Sequence, residues 1–158
     1  MNIGLISDDE NNPNPNKYPE LSHSENTNQL YEQMKETLVV NTFYGIEYTP
    51  IQSSEGLVHT ELTSDLLSAV NNGISLVNYI GHGNYYTLSD EKILVLERDI
   101  NFINSSDYKL PIWVVGTCSF GQYDEKDSMA EALLLKENGA IAVISTTRGI
   151  GENSNINY

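Results

Sequence analysis

One thiol and one imidazole stand at matching places behind two apolar runs. Cys118 is the single cysteine of a 158-residue chain, so it forms no internal disulfide and leaves an unpaired thiol to explain. It sits in Thr-Cys-Ser at 117–119, directly after the apolar run 112–116. His82 sits in Gly-His-Gly at 81–83, directly after the run 74–80. A thiol at its ordinary pKa is little ionised near neutral pH, and an adjacent imidazole that takes its proton makes it a useful nucleophile. The same imidazole can later protonate a leaving amine. Glycines on both sides of His82 keep Cβ bulk away from a substrate backbone and permit a sharp turn. The N–H of Gly83, with that of Cys118, is then a candidate donor to a developing oxyanion. Tyr85, Tyr86, Phe120 and Tyr123 flank the two positions and are candidates for lining a substrate groove, although aromatic side chains in such loops cap the core as often. Spacing alone favours the plainer reading, in which a cysteine after a buried strand is a small core residue and a histidine beside glycine marks a turn.

Other chemistries find little support. His23, His59 and His82 are scattered without the spacing of metal ligands, and one cysteine adds little to them. There is no P-loop, the Gly81 to Gly83 stretch is too short for a dinucleotide fingerprint, and no G-x-S-x-G elbow occurs. With 8 basic and 22 acidic residues, the net charge of −14 repels phosphate backbones and anionic membranes, so nucleic acid is not an expected partner. No run approaches the roughly 18 apolar residues of a transmembrane helix, and the first residues lack the order of a signal peptide. A strand-like stretch immediately after Met1 and a trailing 149–158 tail suggest a piece of a longer chain.

The elements that must position the two side chains follow from periodicity. Short apolar runs at 2–7, 46–51, 74–80, 112–116 and 140–145 read as strands, the last three rich in β-branched residues as expected of strands buried on both faces. Between them, Leu30, Met34 and Leu38 share a helical face, and so do Leu62, Leu66 and Val70. Leu96, Ile100 and Ile103 suggest a further short helix. Ser128 and Glu131 have capping-box spacing for a last helix ending near Gly139. Thr60 is a candidate N-cap for the second helix and Gly73 its stop. Strands alternating with helices predict an α/β fold, a mainly parallel sheet of about five strands within a three-layer α/β/α sandwich, as one domain over 1–158. Residues 11–20, with three prolines and four asparagines, predict a polar loop. In such a sheet ligands bind beyond the carboxyl ends of the strands, which is where both His82 and Cys118 fall.

The stretch NNGISLVNYIGHGN at 71–84 resembles the segment around the catalytic histidine of the gingipains, the C25 cysteine peptidases. LPIWVVGTCSFGQYD at 110–124, followed by SMAEALLL and GAIAVISTTR, resembles the half of that domain that carries the catalytic cysteine. The T-C-S-F-G-x-Y-D form is most similar to the PorU-like branch, the cell-surface peptidases of type IX secretion that remove C-terminal sorting signals. The resemblance implies a caspase-like fold with His82 and Cys118 at the catalytic positions and Gly83 at the backbone oxyanion donor. It also implies an acidic residue near the histidine, which falls on Asp9, with Asp8 or Glu10 as alternatives; a solvated acidic turn is the plainer reading. Implied further are protein or peptide substrates, no cofactor for catalysis, a structural calcium left open, and a place outside a Bacteroidetes-type cell or on its outer membrane. After the His-Gly pair this chain reads Asn84, Tyr85, Tyr86, Thr87, Leu88 where gingipains carry a Ser-Glu-Thr-Ala-Trp type sequence, so specificity does not carry over. A catalytically silent binding module on the same fold, and another thiol-dependent hydrolase, are the competing readings.

Overall fold

The computed structural model describes residues 1–9, 22–105 and 109–150. The polar loop expected at 11–20, Glu10 and most of the 149–158 tail lie outside them. Strand β1 (Asn2–Ser7) is followed by α1 (Ser22–Met34), β2 (Val39–Tyr44), the short strands β3 (Ile51–Ser53) and β4 (Gly56–Val58), and α2 (Thr60–Asn71). Then come β5 (Leu76–Ile80), the short β6 (Thr87–Leu88) and β7 (Leu94–Val95), α3 (Leu96–Asp99), β8 (Ile112–Gly116), α4 (Met129–Leu135) and β9 (Ala142–Ser145). β1, β2, β5, β8 and β9 form one parallel sheet in the order β2-β1-β5-β8-β9. β3 with β4, and β6 with β7, make separate antiparallel pairs.

Alternation along the strands sorts the sheet into two faces. Ile6, Val77, Tyr79, Trp113 and Val115 share one cluster with Leu62, Leu66 and Val70 of α2 and with Met129 and Leu133 of α4. The α2 side chains are fully buried, so the spacing read from the sequence marks the packing face. Ser7 turns the other way, where its Oγ lies 3.2 Å from Ser24 Oγ on α1. Helices on both faces of a parallel sheet make the three-layer sandwich expected from the pattern.

Two elements differ from expectation. The second strand lies at 39–44, where Val39, Val40, Thr42, Phe43 and Tyr44 supply β-branched and aromatic side chains. The expected strand at 46–51 is instead a 3-10 turn (Gly45–Glu47) leading into β3. The chain must bend there because Gly45 is pressed onto β1's end: a Cβ on it would lie 2.6 Å from Asp9 N. α1 buries His23, Ser24 and Thr27, whereas Leu30 and Met34 are half-covered and Leu38 lies beyond its end. It therefore docks through small and polar side chains rather than the leucine stripe.

Other local signals hold. α4 carries both bonds of the capping box between Ser128 and Glu131, and Gly73 closes α2 with φ +102. The expected N-cap Thr60 is instead the first residue of α2, and His59 occupies the cap position without a side-chain cap bond.

Candidate active site

β5 and β8 run side by side with Ile80 opposite Gly116. The Gly81 N–H extends the ladder by donating to Gly116 O at 3.3 Å. His82 and Cys118 each stand two residues beyond the Ile80 and Gly116 pair, so neighbouring strands bring them to the same edge of the sheet. The loops they sit on touch: a Cβ built on Gly83 would lie 3.0 Å from Thr117 Oγ1 and 2.7 Å from Thr87 O. His82 is exposed, and Cys118 is partly exposed rather than sealed in hydrocarbon. From β1 the chain moves first to β2 on one side and then crosses to β5 on the other, so the topological switch lies between β1 and β5. Ligands of open α/β sheets sit in the crevice at such a switch. Asp8 and Asp9 flank it from the end of β1, and His82 from the end of β5.

The main chain of His82 is clamped from both sides. Its N–H donates to Asp8 Oδ2 at 3.0 Å. Its C=O accepts the Tyr79 hydroxyl at 2.6 Å and the Ser89 N–H at 3.0 Å. Asp8 Oδ1 accepts the Asp9 N–H at 2.9 Å, which fixes the carboxylate. Gly81 permits this closeness, since a Cβ there would meet both Asp8 Cβ and Tyr79 Oη at 2.6 Å. The ring of His23, on α1, stands edge-on to the His82 ring with centroids 5.1 Å apart.

Burial raises the Asp8 carboxyl above its ordinary pKa, with the Asp9 charge adding to the effect; the Ser89 hydroxyl and the His82 N–H pull the other way. Glu91 is raised as well, first by burial and further by the Asp9 and Asp8 charges, against the bond that Ser89 Oγ donates at 2.8 Å. Burial also pushes the Tyr79 phenol well above its usual range, so it stays a hydrogen-bond donor to the histidine loop at any working pH.

The Cys118 loop is held by the segment after β9. Gly121 N–H donates to Thr146 O at 2.8 Å and Ser119 N–H to Arg148 O at 3.1 Å, an antiparallel run that ends at Cys118 and Ile150. The sulfur lies 3.4 Å from Ile150 N and 3.5 Å from Ile150 O. Thr146 Oγ1 donates to Thr117 O. Arg148 and Asp124 close the outside with two parallel bonds of 2.6 and 3.0 Å. Ser119 takes φ +54, a left-handed conformation uncommon for a residue with a side chain, and so turns the chain sharply just past the thiol.

Of the sequence candidates, His82, Gly83 and Cys118 fall at the same edge of the sheet, just past the paired ends of β5 and β8. The carboxylate of Asp9 stands against His59, whose Nε2 is 3.2 Å from Asp9 Oδ2, while Asp8 accepts the main-chain N–H of His82; the alternative Glu10 lies outside the described residues. Tyr85 and Tyr86 are half-buried with ring centroids 6.4 Å apart, and Tyr123 is exposed. Phe120 is corrected: it is fully buried in the central cluster and lines no groove, because the turn at Ser119 sends it inward. Sequence reasoning missed Tyr79, Ser89, Glu91, His59 and His23. Nothing in their spacing distinguishes them from ordinary core and turn residues. A separate hollow of about 520 Å³ lies between α2, α3 and the β3/β4 pair, lined by Ile51, Val58, Leu67, Arg98 and Phe102 among others. None of the residues just described borders it.

The model of peptidase family C25 matches residues 1–158. Among solved structures, the crystal structure of the Arg-specific cysteine proteinase gingipain R (RgpB) aligns with a TM-score of 0.68 at 22% identity over 95% of this chain. The complex of the Porphyromonas gingivalis RgpB pro- and mature domains aligns with a TM-score of 0.64 at 21% identity over 99%. Both are likenesses of fold. This chain spans only about a third of each, 32% and 34% respectively. No curated protein sequence matches it.

Proposed function

The chain belongs to peptidase family C25, and from that premise we propose that it is the nucleophile-bearing part of a cysteine endopeptidase whose dyad is Cys118 and His82. The observation that carries this reading is the equal offset of the two side chains past paired residues of adjacent parallel strands. His82 takes the proton of Cys118, and the thiolate attacks a peptide carbonyl. The N–H groups of Gly83 and Cys118 stabilise the tetrahedral oxyanion, a contribution worth about 10²–10³ in rate for a single donor in comparable sites. His82 then gives its proton to the leaving amine, and water resolves the acyl-enzyme; an amine in place of water makes the reaction a transpeptidation. The chemistry as written requires no cofactor.

The substrate class is a protein or peptide chain, and the wider assignment rests on the T-C-S-F-G-x-Y-D segment at 117–124. We assign the protein to removal of C-terminal sorting signals in type IX secretion, acting outside the cell or at the outer membrane as part of a longer chain with further domains. No described helix is long and apolar enough to cross a membrane.

Two experiments test the reading. A peptide-like alkylating inhibitor should label Cys118 selectively, and His82→Ala should abolish labelling at neutral pH; labelling that persists unchanged would remove the dyad. Incubation with cargo bearing a C-terminal sorting domain should release that domain at one site, read by mass spectrometry. Cleavage of unrelated peptides without release of the domain would leave a peptidase and refute the sorting role.

A silent binding module is the second reading, and the closeness of the Ile150 peptide unit to the Cys118 sulfur favours it. Thiol reactivity against pH separates the two. A profile that follows an ordinary thiol and ignores His82→Ala belongs to the binder.

A further inference from the structure

The bonds that clamp His82, to Asp8, Tyr79 and Ser89, all reach its main chain. They fix where its Cα lies and leave the direction of the ring to side-chain contacts. The side chain is exposed, so its own torsions have several staggered wells to choose among. A general base has to aim its nitrogen at the proton it takes, and a working site holds such a group to within about 10–20°. Something beyond the backbone clamp must select that direction.

Helix α1 brings a second imidazole to this point. Its first turn packs on the end of β1, where Ser24 Oγ donates to Asp8 O at 3.5 Å and stands 3.2 Å from Ser7 Oγ. Ser24 and Thr27 are small and buried, which lets that turn come close. His23, one residue before Ser24, meets the His82 ring: the centroids are 5.1 Å apart and the planes cross at 82°. Aromatic rings prefer this edge-to-face arrangement. The two partners are unequal. His23 is 3% exposed whereas His82 is open to solvent, so the packed ring is the fixed one and the open ring is the one it orients.

We propose that His23 is a positioning residue: its buried ring limits the His82 imidazole to one direction, in which it serves the Cys118 thiol. The inference rests on the reading of His82 as the base. It adds α1 to the elements that build the site, alongside β5, β8 and the end of β1. The contact acts through the ring as a wall and not through a proton exchanged with His82. An aromatic side chain without nitrogen therefore replaces it.

The test uses the full-length protein and reads labelling of Cys118 by a peptide-like alkylating inhibitor at neutral pH. His23→Ala should lower the limiting labelling rate about tenfold or more, with the half-saturating inhibitor concentration little changed, since a misplacement of about 1 Å costs up to about 10²-fold. His23→Phe, which keeps a ring at the position, should recover most of that rate. Thr27→Ala truncates another buried side chain of the same helix and should label at a rate near that of the wild type, which separates the ring from the seating of α1. NMR of the histidine-labelled wild type should show cross-relaxation between the ring protons of His23 and His82, and the His82 ring should gain mobility in His23→Ala. A wild type without that cross-relaxation overturns the proposal even where no variant folds. So does a His23→Phe variant no faster than His23→Ala, or a Thr27→Ala variant as slow as His23→Ala. Labelling that needs His82 but ignores His23→Ala removes this inference and leaves the dyad, whereas labelling that ignores His82→Ala removes the dyad and the role of His23 with it.

Discussion

The carboxylate of Asp8 accepts the main-chain N–H of His82 at 3.0 Å, joining the end of β1 to the end of β5 across the switch in the sheet. The bond reaches backbone, so it sets where the imidazole is carried rather than which proton it holds. Tyr79 and Ser89 complete the grip on the carbonyl side.

Replacing Asp8 separates acceptor from charge. Asp8→Asn keeps one acceptor oxygen, for the His82 N–H or the Asp9 N–H but not both, and removes a buried ionisable group. Asp8→Ala leaves both N–H groups without their acceptor, and hydrogen bonds to a charged group contribute about 1.5–3 kcal/mol each. Chemical denaturation should therefore rank the wild type and Asp8→Asn above Asp8→Ala. Equal loss in both variants would mean that the carboxylate acts through its charge.

Stability should fall as pH rises through the range in which Asp8 and Glu91 ionise. Both folded pKa values lie above the ordinary ones, so the folded state holds protons more tightly than the unfolded chain. The contribution of these two groups is complete below about pH 4, where unfolded carboxylates are protonated. It is lost as pH climbs through their raised folded values. Asp124 is lowered by Arg148 and has the opposite sign, but that pair is exposed and screened. Melting curves across this window should show a shallower decline for Asp8→Asn than for the wild type, and parallel curves would contradict the assignment.

Gly81→Ala should damage the histidine loop from inside the protein. The added methyl meets Asp8 Cβ and Tyr79 Oη at 2.6 Å, and overpacking of this kind costs about 1–3 kcal/mol. Because the clash falls on both arms of the clamp, labelling of Cys118 should slow even where the variant is fully folded. A stable variant with unchanged labelling would show that the loop tolerates displacement.

Leu66→Ala serves as the contrast. Leu66 is fully buried in the α2 face and remote in the chain from both loops. Its truncation should cost about 2–5 kcal/mol while leaving the labelling rate of the remaining folded protein near that of the wild type. The two rates diverging would place α2 in the site's support.

Residues that act within a few positions of one another were legible beforehand. The β-branched runs gave β5 and β8, the leucine spacing gave the buried face of α2, and Ser128 with Glu131 gave the cap of α4, because each signal is local and periodic. The strand at 39–44 was hidden behind a helix-like leucine spacing. The 46–51 run failed as a strand because Gly45 has to pack against Asp9, a contact 36 residues away in the chain.

By itself the sequence determined that one thiol and one imidazole would each follow a buried strand, since chain order and side-chain period dictate that much. Tertiary structure alone decided that β5 and β8 are neighbours and that Phe120 turns inward. It likewise decided that Asp8 grips the histidine backbone while Asp9 faces His59, and that Glu91 joins them. Those relationships depend on which strands pair across a crossover and which side chains share a dry space. Neither has a period along the chain, and both are settled only when the sheet assembles and water leaves.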